Sequence, residues 1–312
     1  MKIAVLKERR ADERRVAATP DTVKKFVGLG VEVTVETGAG DAAHISDDDF
    51  VQAGATIAAD AAAALAATDV VLKVRRPIMA DENGADELAQ MHSGQVLIAM
   101  LNPLIRRSDC DAYAAAGVDA YAMELMPRIS RAQSMDVLSS QANLAGYKSV
   151  LDATEEFGRA LPMMMTAAGT IAPAKIFVMG AGVAGLQAIA TARRLGAVVS
   201  ATDVRPVAKE QVESLGASFV MVEDEESAQA ETEAGYAREM SEEYKQKQAA
   251  LIAETIAKQD IVICTALIPG RAAPVLVDEA MVAAMKPGSV IVDLAVENGG
   301  NCALSQMGKV ID

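Results

Sequence analysis

The chain has no tryptophan, only 3% aromatic residues, two histidines and three cysteines among its 312 residues. Scarce aromatics leave Ala, Val, Leu, Ile and Met to build the core, as α/β folds often do. With only His44 and His92, no histidine-based metal centre can be assembled. Cys110, Cys264 and Cys302 are odd in number and widely spaced. They point to buried thiols in a reducing compartment, and away from a disulfide frame or a zinc site. No Ser/His/Asp or Cys/His set converges, and there is no Walker A lysine loop. Cationic excess is lacking too: the net charge of −14 argues against nucleic acid or an anionic membrane surface as partner. The longest weakly charged run, 161–192, holds one charge, Lys175, but Pro162, Pro173 and several glycines interrupt it, so no transmembrane helix is predicted. Residues 1–8 read as a short strand followed by charge, not as a signal peptide.

What is present is an alternation of short β-runs and helical stretches. In the N-terminal half, residues 2–7, 31–37, 70–74, 96–101 and 118–122 read as strands. Residues 21–29, 47–53, 61–67 and 107–116 read as the helices between them. The C-terminal half repeats the pattern with strands at 175–179, 198–202, 218–222, 260–265 and 289–293. Such alternation predicts an α/β fold of two Rossmann-like domains, each a mainly parallel sheet with helices on both faces, and a cleft between them. The expected division is residues 1–138, an interdomain helix and linker at 139–165, and a nucleotide-binding domain at 166–312. A long insertion, 223–259, separates two strands of the C-terminal half; its start is acidic and its end reads as a long helix.

The strongest motif is G-x-G-x-x-G at Gly180, Gly182 and Gly185, between a β-run and a helical run. The first glycine permits the tight turn, the second lets backbone approach a pyrophosphate, and the third lets helix and strand pack closely. Asp203 follows at roughly the 20-residue spacing expected of an acid that accepts a ribose hydroxyl. A carboxylate there favours NAD and repels the 2′-phosphate of NADP; Arg205 would invert that preference if it faced the ribose.

Three further segments carry polar groups at expected strand ends. P-R-I-S-R-A-Q-S-M-D, residues 127–136, offers Arg128, Gln133 and Asp136, with Ser139 beyond, as donors and acceptors for a nicotinamide carboxamide. By patterning alone it reads equally as a surface loop with a helix cap. Residues 265–270, T-A-L-I-P-G, follow the fourth strand of the nucleotide domain, where backbone contact to a ribose is expected. Residues 293–301 include Glu297, a base or a structural turn acid. Hydride transfer between two nicotinamide rings moves no proton, so it needs positioning and exclusion of water more than a general base.

These stretches, together with residues 1–10, 121–147, P-M-M-M-T-A-A-G-T, G-A-G-V-A-G-L-Q-A-I-A-T-A, A-T-D-V-R, the Gly235-Tyr236 loop, T-A-L-I-P-G and D-L-A-V-E-N-G-G-N, closely resemble the NAD(H)-binding component of proton-translocating nicotinamide nucleotide transhydrogenases. The resemblance covers essentially the whole chain, and R-I-S-R-A-Q-S-M-D is its most specific segment. It implies a homodimeric, cytoplasmic component, peripheral to the inner membrane through its partners. This component binds NAD(H) and exchanges hydride with NADP(H) on an NADP-binding component. A transmembrane component couples the exchange to proton translocation. It further implies that Arg128, Gln133, Asp136 and Ser139 orient the nicotinamide end, with Ile129, Ser130, Ser134 and Met135 as neighbouring cofactor contacts. Val183, Asp203, Val204 and Arg205 would hold pyrophosphate and ribose, and Leu267 would line the crevice. Gly235 and Tyr236 would belong to a mobile loop closing over the nucleotide, with Gln248 on the helix behind it. The family pattern carries a further strand and long helix past the position of Asp312, which this sequence lacks. Alanine dehydrogenase is the related alternative: Arg15 and Lys73 resemble its substrate-carboxylate contacts, but its catalytic histidine is missing from V-L-I-A-M-L-N. An NAD-responsive regulatory subunit is a third reading, disfavoured by residues 128–136.

Overall fold

The computed structural model describes every residue except 83, 85, 128, 206, 223–240 and 269. It divides into two compact units, Met1–Leu138 and Ser139–Asp312. In the first, β1 (Lys2–Val5), β2 (Glu32–Glu36), β3 (Thr56–Ala58), β4 (Val70–Arg75), β5 (Val96–Met100) and β6 (Asp119–Ala122) form one sheet in the order β3-β2-β1-β4-β5-β6. Every pairing in it is parallel. The short strand β3 was not expected: three residues are too few for the period of two to show.

Helices α1 (Pro20–Gly28), α2 (Asp47–Gln52), α3 (Ala61–Leu65) and α4 (Arg107–Ala115) connect these strands. Three of them start on local caps. Thr19 accepts from the Thr22 N–H, Ser46 and Asp49 form a reciprocal capping box, and Asp60 accepts from the Ala63 N–H. The sheet is buried on both faces. Ala4, Val71, Leu97 and Ala99 pack with Tyr113 and Leu65 on one side, and Ile3, Val5, Val33 and Val35 with Phe50 and Val23 on the other. A fully buried Val, Leu, Ile or Phe contributes about 1.5–3 kcal/mol, several times a typical exposed ion pair, so these two layers hold the unit together.

The second unit begins within α5 (Val137–Glu156). The expected helix, 139–160, is shifted: it starts two residues earlier and stops before Gly158. An antiparallel hairpin of β7 (Met164–Thr166) and β8 (Gly169–Ile171) follows, where only a linker was expected. The main sheet then runs β11-β10-β9-β12-β13, built from β9 (Lys175–Met179), β10 (Val198–Thr202), β11 (Ser218–Phe219), β12 (Ile261–Cys264) and β13 (Val290–Asp293), all parallel. Both sheets have the strand order of doubly wound α/β folds, with the order reversing beside the first strand. Helices α6 (Val183–Arg194), α7 (Ala208–Ser214), α8 (Glu242–Ile256) and α9 (Glu279–Ala283) complete the unit. Ile176, Phe177, Val178 and Met179 of β9 are all buried, as a central strand covered on both faces requires. Gly146 lets α5 press onto the start of α6: a Cβ there would lie 2.0 Å from the Ala184 carbonyl oxygen.

Among the described residues no helix is long and apolar enough to cross a membrane, and no cluster of His, Cys, Asp and Glu could hold a metal ion.

Candidate nucleotide site

Each glycine of the turn after β9 has its own reason. Gly180 adopts φ +103°, and a Cβ there would come within 2.7 Å of the Thr265 hydroxyl. Its N–H donates to the Thr202 carbonyl at 2.8 Å, and its own carbonyl accepts from Thr265 Oγ1 at 2.9 Å. The turn is thereby pinned between the ends of β10 and β12. Gly185 sits so close that a Cβ would overlap the Gly180 carbonyl oxygen at 1.8 Å. Gly182 has nothing within 4 Å of a Cβ position; it is the extended N-cap residue of α6, and no side chain caps the helix. An uncapped helix start on open glycine backbone combines orphan N–H donors with the positive end of the helix dipole, so it suits a phosphate. Val183, the first helical residue, is 44% exposed beside it.

Asp203 and Arg205 complete the β10 side. Asp203 Oδ2 accepts the Ala181 N–H at 2.8 Å and Arg205 Nη2 at 3.0 Å; Oδ1 accepts the Arg205 N–H at 2.8 Å and its Nε at 3.0 Å. The acid therefore ties β10 to the glycine turn. Arg205 folds back onto the acid, where a helix-start or phosphate contact was the plain expectation. Val204 between them is half-buried.

On the β12 side, Thr265 and Ala266 are half-buried and Leu267 is 50% exposed. Gln248 is half-buried on α8, a helix that starts with Ser241 accepting from the Tyr244 N–H. Glu297 is exposed on the turn Val296–Asn298. Cys264 and Cys302 are buried; Cys110 is only half-buried. Burial pushes the Cys264 thiol far above its ordinary range, which removes it as a nucleophile. Arg128, Gly235, Tyr236 and the acidic stretch 223–231 lie outside the described residues.

The segment 129–136 belongs to the first unit. A short 3-10 turn, Ser130–Met135, is anchored by buried Ala132, whose N–H donates to the Ile129 carbonyl at 2.9 Å. Ile129, Ser130, Gln133, Ser134 and Met135 are exposed around it. Asp136 is half-buried immediately before α5, and Ser139 is half-buried within the first turn of that helix. The two cations that resemble alanine dehydrogenase contacts both have carboxylate partners in the chain. Arg15 donates to Glu13 at 2.6 and 2.7 Å, and buried Lys73 lies 2.9 Å from Glu87 and 3.6 Å from Glu8. Burial pushes the Glu8 carboxyl up against the pull of Lys73.

What the sequence did not disclose is the bracing behind the glycines. The Thr265 hydroxyl on Gly180 and the close approach at Gly146 join residues 85 and 38 positions apart, and no local pattern signals either.

Comparison with known proteins agrees with this geometry. The family described as alanine dehydrogenase/PNT, N-terminal domain, matches residues 4–145, and its C-terminal domain matches residues 149–312. In Rhodospirillum rubrum, the first polypeptide of a divided NAD(P) transhydrogenase subunit alpha is 61% identical over 311 residues, covering 100% of this chain and 81% of that protein. A crystal structure of transhydrogenase from Sinorhizobium meliloti is 57% identical with a TM-score of 0.88, covering 100% of this chain and 83% of the other. Alanine dehydrogenase of Halomonas elongata is 31% identical over 303 residues, covering 96% of this chain and 74% of that protein. The chain therefore belongs to the alanine dehydrogenase/PNT family and, within it, to the NAD(P) transhydrogenase alpha subunits.

Proposed function

We propose that this chain binds NAD(H) in its second unit and exchanges hydride directly with NADP(H) held on a separate NADP-binding component, a transmembrane component coupling the exchange to proton translocation. The observation that carries the reading is the uncapped start of α6 on open Gly182, with Asp203 fixed beside it. It occurs in a chain 61% identical over its full length to a protein named as a transhydrogenase alpha subunit.

The residues fit a dinucleotide. Gly180, Gly182, Val183 and Gly185 supply backbone donors to the pyrophosphate, and Asp203, Val204 and Arg205 hold the adenosine ribose. Leu267 lines the crevice, with Gly235, Tyr236 and Gln248 closing over it. Arg128, Gln133, Asp136 and Ser139 orient the nicotinamide end, flanked by Ile129, Ser130, Ser134 and Met135. The bound nicotinamide supplies the hydride chemistry. The chain's own work is to bind, to orient and to exclude water. As in its implied family, the chain works as a homodimer, peripheral to the membrane through its partners.

The alanine dehydrogenase reading is weaker. Lys73 and Arg15 are each neutralised by glutamates, and β5 with its following Leu101 and Asn102 offers no histidine acid. Titration of purified chain with NADH and NADPH, and assay with pyruvate plus ammonia, separates the readings. The expected result is preferential NADH binding with no turnover; measurable alanine oxidation would transfer the chain to the dehydrogenase reading.

A further inference from the structure

In the order β11-β10-β9-β12-β13, β10 and β12 flank β9 on opposite sides. Asp203, just past β10, marks the side for the adenosine ribose. A dinucleotide laid across the glycine turn therefore directs its nicotinamide half toward the loop that leaves β12.

That loop is gripped by one fully buried amide. Asn301 Oδ1 accepts the Ala266 N–H at 3.0 Å, while Nδ2 donates to the Ala266 carbonyl at 2.9 Å and the Pro274 carbonyl at 2.8 Å. These partners dictate the amide's orientation, because the reverse would set NH₂ against N–H and oxygen against two carbonyls. Asn301 thus fixes the peptide planes on both sides of Ala266, and with them the directions of Thr265 and Leu267. It is itself fixed by Asp293, whose carboxylate accepts the N–H groups of Asn301 at 2.8 Å, Cys302 at 3.0 Å and Ala295 at 2.9 Å. At the other end, the Thr265 hydroxyl reaches the Gly180 carbonyl. A hydrogen-bonded chain therefore runs from Asp293 through Asn301 to the glycine turn.

We infer that Asn301 is a positioning residue for the nicotinamide half of the cofactor, acting through the 265–267 backbone without touching the cofactor. This rests on reading the second unit as an NAD(H) site. Aspartate keeps the acceptor for Ala266 but loses both donors and faces two carbonyls; serine is too short to bridge them.

The test measures the affinity of Asn301→Asp and Asn301→Ser for NADH and for 5′-AMP, which holds only the adenosine half. The expected result is that NADH binding weakens about tenfold or more while 5′-AMP binding changes by less than about twofold. Equal losses for both ligands would mean that Asn301 supports the fold alone, and unchanged NADH binding would also overturn the inference. Failure of the parent chain to bind NADH would instead remove the underlying site. Where the variants do not fold, amide hydrogen exchange on the parent chain decides. The Ala266 N–H is expected to be protected like the amides of β12 with and without NADH, and rapid exchange in the free chain would contradict the role.

Discussion

Asp203 and Arg205, two residues apart, are joined by three hydrogen bonds: the carboxylate takes the Arg205 N–H, Nε and Nη2, and the Ala181 N–H adds a fourth donor. Both carboxylate oxygens are thereby fully used. A ribose hydroxyl that donates to Asp203 has to replace one of these donors, and the Arg205 side chain is the one that can swing away. The acid still repels a 2′-phosphate. Asp203→Asn is therefore expected to narrow the preference for NADH over NADPH by about tenfold, a charge effect of about 1.4 kcal/mol. Parallel titrations with the two nucleotides check this, and an unchanged ratio would remove Asp203 as the selecting residue.

The glycines should separate into fold and ligand. Gly185→Ala places a methyl 1.8 Å from the Gly180 carbonyl, so a loss of roughly 3 kcal/mol or more in thermal unfolding is expected. Gly182→Ala meets nothing within 4 Å, so the melting temperature should hold. NADH binding should still weaken about tenfold, because the methyl occupies the approach to the helix start. A destabilised Gly182→Ala chain, or one with parental affinity, would contradict the assignment.

Gln133 is exposed on its 3-10 turn, so Gln133→Asn should leave stability within about 0.5 kcal/mol. Shortening the side chain by one methylene should slow hydride transfer much more than it weakens NADH binding. Single-turnover rates set against NADH affinity give the comparison. Equal losses would make Gln133 a binding contact only.

Asp260 offers a test of the scaffold. Burial pushes its carboxyl up, but the Lys175 N–H at 2.8 Å, Lys286 at 3.0 Å and Arg159 at 2.6 Å outweigh that and hold it below the ordinary carboxylate range. A carboxyl depressed on folding gives stability that is complete above its unfolded value near about 4, and lost as pH falls through the folded value. Asp260→Asn should cost about 1–3 kcal/mol at neutral pH and flatten the decline in stability below about pH 4. Superimposable acid unfolding profiles would contradict this.

The sequence disclosed what periodicity and turn chemistry encode locally. The run Ile176–Met179 followed by three glycines announced β9 and α6, and their bounds agree with the structure to the residue for β9. β10 is equally plain. The hairpin β7–β8 was hidden because Met164–Thr166 and Gly169–Ile171 are too short to alternate and are exposed throughout. The grip of Asn301 on Ala266 was hidden for another reason. It spans 35 positions, and asparagine beside two glycines reads as turn chemistry until the fold brings the loops together.

Hydride transfer in a mixture of this chain, NADH and an NADP-binding component carrying an NADP⁺ analogue is the most direct measurement of the proposed role. The expected result is single-turnover oxidation of NADH with equimolar reduction of the analogue, dependent on both proteins. NADH bound tightly but left unoxidised in the complete mixture, while the chain alone oxidises alanine with NAD⁺, would contradict it.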